Sequence, residues 1–393
     1  MNILLFTNLF PNPIDRDRGV FTLQLAKQLA KEHNLTVICP LPWFPKNSVF
    51  SRFTKWYIHS QVPSYYQIEG VNVYSPKYPM LPKVSEALHA KFMRLSIKRL
   101  IENLHSHSNF DVINSHWLYP DSVAVDTVAR SLNIPHIATG LGCDVNHDLF
   151  DKNKRTAILE MIQNANKITV VSNDLKRVLM DQSVPDSKIF TIANGVDLTQ
   201  FKPLNRNECR KQLGISGEKK IILYVGRLSE EKNCSRLIRA FAQLETTKDV
   251  DLYLVGDGPL RNDLETLARS SSKSDRIHFV GQIEHQLISI WMGASDYFCL
   301  PSIREGCPNV VLESLGCGRP VLASNIGGIP DMVQQNAGIL FNPLEIDEIS
   351  KTFELALDTE WEPKLIGQSI KHLTWRNAAK KYLSVFSSAT EKL

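Results

Sequence analysis

"DYFCLPSIREGCPNVVLESLGCGRPVLAS", residues 296–324, is the stretch whose reading decides the fold. It opens on an apolar run, passes through a loop containing Gly306 and Pro308, and closes on a second apolar run at 320–324. Gly306 and Pro308 deny Glu305 a helical interior. Pro308 itself suits the first turn of a helix, where its missing N–H costs nothing. A helix is therefore expected to start at Pro308, with Glu305 in the loop before it and Glu313 about a turn and a half inside. The unit reads as strand, loop, helix, strand. Its two acids flank a helix N-terminus, whose free N–H groups suit an oxygen-rich ligand. Each glutamate reads equally as an acid that satisfies the helix dipole.

The same grammar extends in both directions. Short apolar runs at 2–7, 35–39, 71–75, 111–115, 136–139 and 167–172 are each followed by a helix-like stretch. After Asn194 the series restarts, at 220–226, 251–256, 276–281, 296–302, 320–324 and 337–341. Continuous apolar strands alternating with helices indicate parallel sheets covered on both faces. The fold class is α/β, with two doubly wound, Rossmann-like domains: 1–192, and 193–372. Ligands of such sheets bind beyond the carboxyl ends of the strands, so the cleft between the domains is the expected site. In "TWRNAAKKYLSVFSS", Trp375, Ala378, Ala379, Tyr382 and Phe386 fall at helical intervals. A helix over 373–393 is expected to cross back to the first domain.

A chain of 393 residues exceeds what one core usually supports, which agrees with two domains. A net charge of +4 is too slight for a nucleic-acid protein. Seven cysteines without a CxxC pair read as scattered thiols rather than a disulfide or zinc framework. The apolar start "MNILLFTNLF" lacks a basic region and a cleavage site, and no run reaches the length of a membrane span. A cytoplasmic protein is expected.

"YVGRLSEEKN" (224–233) ends a strand at Gly226 and then presents Arg227 and Lys232. Ser235 is placed to cap the next helix. A lysine before a helix N-terminus opposes the macrodipole unless an anion sits there too, and a diphosphate suits both cations. The alternative is a solvated loop in which Glu230 and Glu231 pair with them. Neither "GDGPLR" (256–261) nor "GLGCDV" (140–145) completes G-x-G-x-x-G, and no Walker-type loop occurs. "DRD" (15–17) offers two loose carboxylates, too few for a magnesium site.

In order along the chain, "NGVD", "GRLSEEKN", "GDGPL", "EGCPNVVLE", "GRPVLAS" and "GGIPD" resemble the signature of the family 4 glycosyltransferases, retaining enzymes of the GT-B fold. The resemblance covers most of 190–390, and the N-terminal half in shorter pieces. It implies that 193–372 binds a nucleotide sugar and that 1–192, with the C-terminal helix, binds the acceptor. Glu313 would hold the ribose hydroxyls and Glu305 the donor sugar. The N–H groups of Cys307, Asn309 and Val310, beside Pro308, would line sugar and phosphates. A carboxylate suits a vicinal diol, and backbone donors suit negative oxygens. Gly226, Asn194 and Ile283 would complete the donor site. Arg227 and Lys232 would stabilise the leaving diphosphate, which helps deprotonate the acceptor in a front-face reaction. No covalent nucleophile, metal or cofactor is implied.

Gly19, opening a helix with Phe21, Leu25 and Leu29, matches the family's glycine loop, although the usual second glycine is missing. "DVINSHWLYPD" (111–121) resembles the segment whose histidine lies beside the donor sugar, which assigns His116 a hydrogen-bonding or electrophilic role. It reads also as a core or capping histidine. "ATGLGCDVN" (138–146) departs from the family's histidine loop, since Leu141 stands in the histidine's place. Asp144 remains, either to bind a hydroxyl or to cap a turn.

Residues 83–105 alternate apolar Val84, Leu88, Phe92, Leu95 and Leu100 with Lys91, Arg94, Lys98 and Arg99. They read as a covering helix with a solvated face or as a basic amphipathic helix on an anionic membrane. The preceding aromatic-rich stretch, 40–66, reads as an acceptor wall or a lipid contact. The expected function is transfer of a sugar from a UDP- or GDP-linked donor to a glycan or lipid-linked glycan in surface polysaccharide synthesis, with peripheral contact to the inner face of the membrane. A nucleotide-sugar epimerase and a non-catalytic sugar-nucleotide-binding subunit are the alternatives. The first lacks a visible acid/base pair near the sugar. The second is separated by product formation.

Overall fold

The structure is a computed structural model and describes residues 1–43, 59–80 and 86–391. The chain divides into two compact units. Unit 1 is Met1–Ala193 with Trp375–Leu393, and unit 2 is Asn194–Thr374. Both are α/β with mainly parallel sheets, the two doubly wound, Rossmann-like units that the strand pattern leads one to expect.

Unit 1 holds β1 (Asn2–Phe6), β2 (Asn34–Ile38), β3 (Leu41–Trp43), β4 (Tyr65–Ile68), β5 (Val71–Tyr74), β6 (Lys77–Pro79), β7 (Val112–His116), β8 (His136–Gly140), β9 (Lys167–Val170) and β10 (Ile189–Thr191). Its main sheet runs β10-β9-β8-β7-β1-β2-β5-β4, and β3 pairs separately with β6. All main-sheet neighbours are parallel except β4 and β5, which form an antiparallel edge. The central strands β7 and β8 are buried at every residue, which explains their continuous apolar or small-polar composition. The helix Trp375–Thr390 belongs to this unit. Its Trp375, Ala378, Ala379, Tyr382, Val385, Phe386 and Ala389 pack on Ile3, Leu25, Leu29, Val112, Ile137 and Ile192.

Unit 2 holds β11 (Lys220–Val225), β12 (Val250–Val255), β13 (Ile277–Gly281), β14 (Tyr297–Leu300), β15 (Val321–Ser324) and β16 (Gly338–Phe341). The order is β13-β12-β11-β14-β15-β16, all parallel. Chain order reverses between β11 and β14, the switch point at which doubly wound sheets open a crevice. One core, including Tyr224, Phe241, Phe298, Phe341 and Phe353, fills both faces of this sheet.

The helix expected over 83–105 runs from His89 to Ser108. Its inward face is Ala90, Met93, Ile97 and Ile101, not the apolar stripe read from the sequence. Leu88 and Leu95 are 46% and 64% exposed. Residues 83–85 lie outside the described residues, as do 44–58 of the aromatic stretch. No helix among the described residues is long and apolar enough to cross a membrane.

Candidate functional site

In unit 2 the loops after β11, β12 and β14 converge, and glycines let them touch backbone to backbone. A Cβ on Gly256 would stand 2.0 Å from the Gly226 carbonyl oxygen, and one on Gly258 would stand 2.2 Å from that of Leu228. The incomplete G-x-G-x-x-G therefore serves loop packing. The Gly226 N–H donates to Val255 O (3.0 Å) and that of Leu228 to Asp257 O (3.0 Å), which ties the loops together.

Arg227 leaves this junction exposed and takes no ion pair among the described residues. Lys232 sits in the short turn Glu230–Lys232 and pairs with Glu305 at 2.6 Å. The lysine's ion-pair partner thus comes from the β14 loop, while Glu231 accepts from the Ser229 hydroxyl (2.7 Å) and lies within the field of both Lys232 and Arg227. The next helix, Cys234–Gln243, starts earlier than a Ser235 cap would require. Asn233 occupies the cap position at φ 57°, and its amide donates to Pro301 O (3.0 Å) and Pro343 O (2.8 Å).

The β14 loop is held on both sides. The Ile303 N–H donates to Glu231 O (2.9 Å) and that of Gly328 to Gly306 O (2.9 Å). A Cβ on Gly327 would stand 2.1 Å from Glu305 O. Pro308 is the extended residue immediately before the helix Asn309–Gly316 rather than its first residue. No side chain caps this helix and no acid lies in its first turn, so the N–H groups of Asn309 and Val310 stay open. Asn194 donates to Asn309 Oδ1 (2.8 Å) and Cys307 O (3.4 Å), bracing the helix start. Burial pushes the Cys307 thiol up to about 12, so it stays a neutral thiol. Glu313 is 8% exposed and its Oε1 accepts from His285 Nε2 at 3.1 Å. Ile283 follows β13 and packs against the core, beyond a Gly281 whose φ of +88° requires glycine.

The exposed Arg227, the Lys232–Glu305 pair and the uncapped helix start thus lie on the β11 and β14 loops that flank the switch point, and Glu313 sits a turn inside that helix, bonded to His285 beyond β13. Family comparison agrees with the geometry. Residues 205–381 match the "Glycosyl transferases group 1" model and residues 19–200 the "Glycosyltransferase Family 4" model. D-inositol 3-phosphate glycosyltransferase of Corynebacterium diphtheriae is 30% identical over 313 residues, 72% of each chain. The chain belongs to the family 4 glycosyltransferases.

TuaC of Bacillus subtilis (strain 168), a glycosyltransferase provisionally assigned to teichuronic acid biosynthesis, is 27% identical over 373 residues, 93% of this chain and 92% of TuaC. The solved structure of Anabaena HepE in complex with UDP shares the fold, with a TM-score of 0.73 at 18% identity over 99% of this chain and 100% of HepE.

In unit 1 the glycosyltransferase uses the predicted residues differently. Gly19 has φ 64° and opens the helix Val20–Leu29, with its Cβ position only 2.2 Å from Leu9 O. It lets the loop after β1 close on the helix. Asp144 is fully buried, and its carboxylate accepts from the N–H groups of Leu118 (2.9 Å), Leu141 (3.0 Å) and Gly142 (2.8 Å). That corrects the hydroxyl-binding expectation: with both oxygens engaged, Asp144 is a loop brace. Desolvation raises its pKa to about 6 despite those donors. His116 is 2% exposed, its Nε2 meets Asn114 Oδ1 (2.9 Å), and its ring stacks on Tyr382. Burial lowers its pKa to about 3, so the ring is neutral, and the core position read as the alternative is the one it occupies.

Three features escaped the sequence reading. Asp121, fully buried, accepts from the Asn8 side chain (2.7 Å) and backbone, and so fixes the loop after β1. Ser115, His136 and Asp126 form a chain of 2.7 and 3.1 Å contacts in the order of a nucleophile triad, yet all three are at most 3% exposed. Burial makes them a brace. His285 is the third omission, and the one that touches a predicted site residue.

Proposed function

We propose that this glycosyltransferase moves a sugar, with retention of configuration and without a metal, from a UDP- or GDP-linked donor to a hydroxyl of a glycan or lipid-linked glycan. Unit 2 holds the donor, and unit 1 recognises the acceptor. The observation that carries the reading is the Lys232–Glu305 pair, with exposed Arg227 beside it, at the loop that leads into the uncapped Asn309–Gly316 helix, which carries Glu313. Arg227 and Lys232 offset the charge that develops on the leaving diphosphate, a term worth roughly 10²–10³ in rate per donor. The open N–H groups at the helix start receive phosphate or sugar oxygens. Glu305 contacts the sugar and, tied to Lys232, is held as a polar contact rather than a nucleophile. His116, buried and neutral, is not a base. UDP in HepE and the teichuronic acid assignment of TuaC support a uridine donor and a surface-polysaccharide role.

Unit 1 also offers a membrane-facing surface. Leu88, Lys91, Leu95, Lys98 and Arg99 recur at i, i+3, i+7, i+10 and i+11, so they share one face of the helix His89–Ser108 and its cap, and all are exposed. Apolar and basic groups on one face suit an anionic bilayer, which would bring a lipid-linked acceptor to a peripheral, cytoplasmic enzyme.

Calorimetry with UDP, GDP and ADP on wild type and Glu313→Ala tests the donor site, followed by product analysis with EDTA present. One nucleotide is expected to bind, with affinity falling at least tenfold in the variant, on the scale of a hydrogen bond to a charged group. Equal affinity in the variant would overturn the ribose assignment.

A further inference from the structure

We infer that His285 positions the Glu313 carboxylate for the donor ribose and thereby sets the preference for ribose over deoxyribose nucleotides. The inference rests on the reading of Glu313 as the ribose acid.

His285 lies in the short turn His285–Leu287, just beyond β13 and Ile283. Three attachments orient it. Nε2 meets Glu313 Oε1 at 3.1 Å. The ring stands edge-on to Phe201, with centroids 5.6 Å apart and planes at 74°. Its carbonyl accepts from Gln200 Nε2 at 3.4 Å. The strand end before it is fixed as well, because the Gly256 N–H donates to Gly281 O (2.8 Å). The imidazole is thus delivered to the carboxylate from a clamped turn rather than from a wandering side chain.

The contact is selective between the two carboxylate oxygens. Oε1 takes His285, whereas Oε2 takes no bond from any described residue and is not among the sealed, unpartnered buried atoms. An ionised carboxylate has about four lone-pair sites over two oxygens. Binding a vicinal diol uses both oxygens, and that geometry exists only if the plane of the group is fixed. The terminal torsion of a glutamate is broad and roughly two-fold, so packing alone leaves the plane free to turn. One donor on Oε1 stops that rotation. It presents Oε2 and the second lone pair of Oε1 to the diol, and it keeps a nearly buried acid from going unpaired.

His285 is therefore a positioning residue, acting through Glu313. A residue that only supported the fold would lower the active fraction, and so the rate at saturation, for every donor alike. A positioning residue raises KM selectively for donors with both ribose hydroxyls. His285→Gln retains a side-chain N–H donor, so it is expected to restore part of what His285→Ala loses.

The test measures calorimetric Kd for UDP and GDP and for their 2′-deoxy and 3′-deoxy forms. The proteins are wild type, His285→Ala, His285→Gln and Glu313→Ala. Wild type is expected to favour the ribose form. His285→Ala is expected to lose about tenfold on the ribose form and little on the deoxy forms. His285→Gln should fall between them, with kcat at saturating donor within about twofold of wild type in both His285 variants. Retention of the full ribose preference by His285→Ala overturns the inference, as does an equal loss on ribose and deoxy forms. If Glu313→Ala binds the ribose form as wild type does, the ribose reading of Glu313 falls first, and the inference falls with it.

Discussion

The polar loop residues of the two units form the same kinds of motif and meet different fates. In unit 1, Asp121 and Asp144 are fully buried, and both carboxylates are spent on neighbouring loop groups. In unit 2, Arg227 projects into solvent, Lys232 reaches the β14 loop, and Glu313 keeps one oxygen open. Unit 1 uses its acids to hold loops in shape. Unit 2 keeps its charges where a charged ligand can complete them. A motif residue carried over by resemblance is thus a candidate ligand only where its polar atoms are still unspent.

The strongest way to break this contrast is one substitution in each unit. Arg227→Ala is expected to lower transfer by about 10²–10³-fold while leaving the melting temperature nearly unchanged, since the side chain is exposed and makes no ion pair among the described residues. Asp144→Ala leaves three loop N–H groups without their acceptor. It is expected to cost about 3 kcal/mol of stability, on the scale of 1–3 kcal/mol for a buried unsatisfied group. Denaturant melts and turnover on both variants decide it. An unstable Arg227→Ala, or a fully stable Asp144→Ala, would erase the distinction.

The strands of unit 2 were readable because they are mostly apolar runs, broken inside only by Asp251 in β12 and His278 in β13, the mark of a sheet covered on both faces. Unit 1 was readable at its centre and not at its edges. β3 and β6 are three residues long and contain proline, and β4 alternates an exposed Tyr65 with a buried Tyr66. Neither pattern stands out from a loop. In the site, Glu305 and Glu313 were visible because Gly306 and Pro308 locate a helix start between them. His285 was not, since a lone histidine in "IEHQL" has no local signal and its partner lies 28 residues further along. Gly256 and Gly258 were visible only as an incomplete fingerprint, because their purpose is the approach of another loop's carbonyl oxygens.

Titration sharpens the picture within unit 1. His116 is lowered to about 3 by burial, so the unfolded chain holds more protons between pH 3 and 6.5. Its contribution is fully present above 6.5 and is lost as pH falls toward 3. Asp144 is raised to about 6, so the folded chain holds its proton more firmly than a free aspartate. Its contribution is present below the usual value near 4 and is lost as pH rises through 6. The two slopes oppose each other between pH 4 and 6, each worth roughly 3–5 kcal/mol over its full window. Relative to wild type, His116→Gln is expected to lose stability as pH rises from 4 to 6, and Asp144→Asn to gain it. Melts at pH 4, 5 and 6 read the sign, and parallel curves for all three proteins would rule out both buried titrations.

The smallest expected effect concerns the groups unit 1 does leave open. Its helix His89–Ser108 carries Leu95 at 64% exposure on the same face as Lys91, Lys98 and Arg99. Little packing is lost if Leu95, 64% exposed, becomes serine, so the melting temperature should move little. Burial of a leucine side chain at a bilayer surface is worth about 1.5–3 kcal/mol when complete and less for one that stays partly wet. Leu95→Ser is therefore expected to weaken binding to phosphatidylserine vesicles several-fold. Lys98→Ala should weaken it by a similar factor at low salt and by much less at high salt, since each basic group near such a surface contributes about 1 kcal/mol and is screened by ions. Vesicle sedimentation with phosphatidylcholine as control separates these contributions. Wild type that ignores anionic vesicles at low salt removes the membrane proposal and leaves that face as an ordinary solvated surface. Binding lost equally in both variants at low salt, and regained by neither, instead places unit 1's available groups on its outer helix and confines its loops to internal bracing.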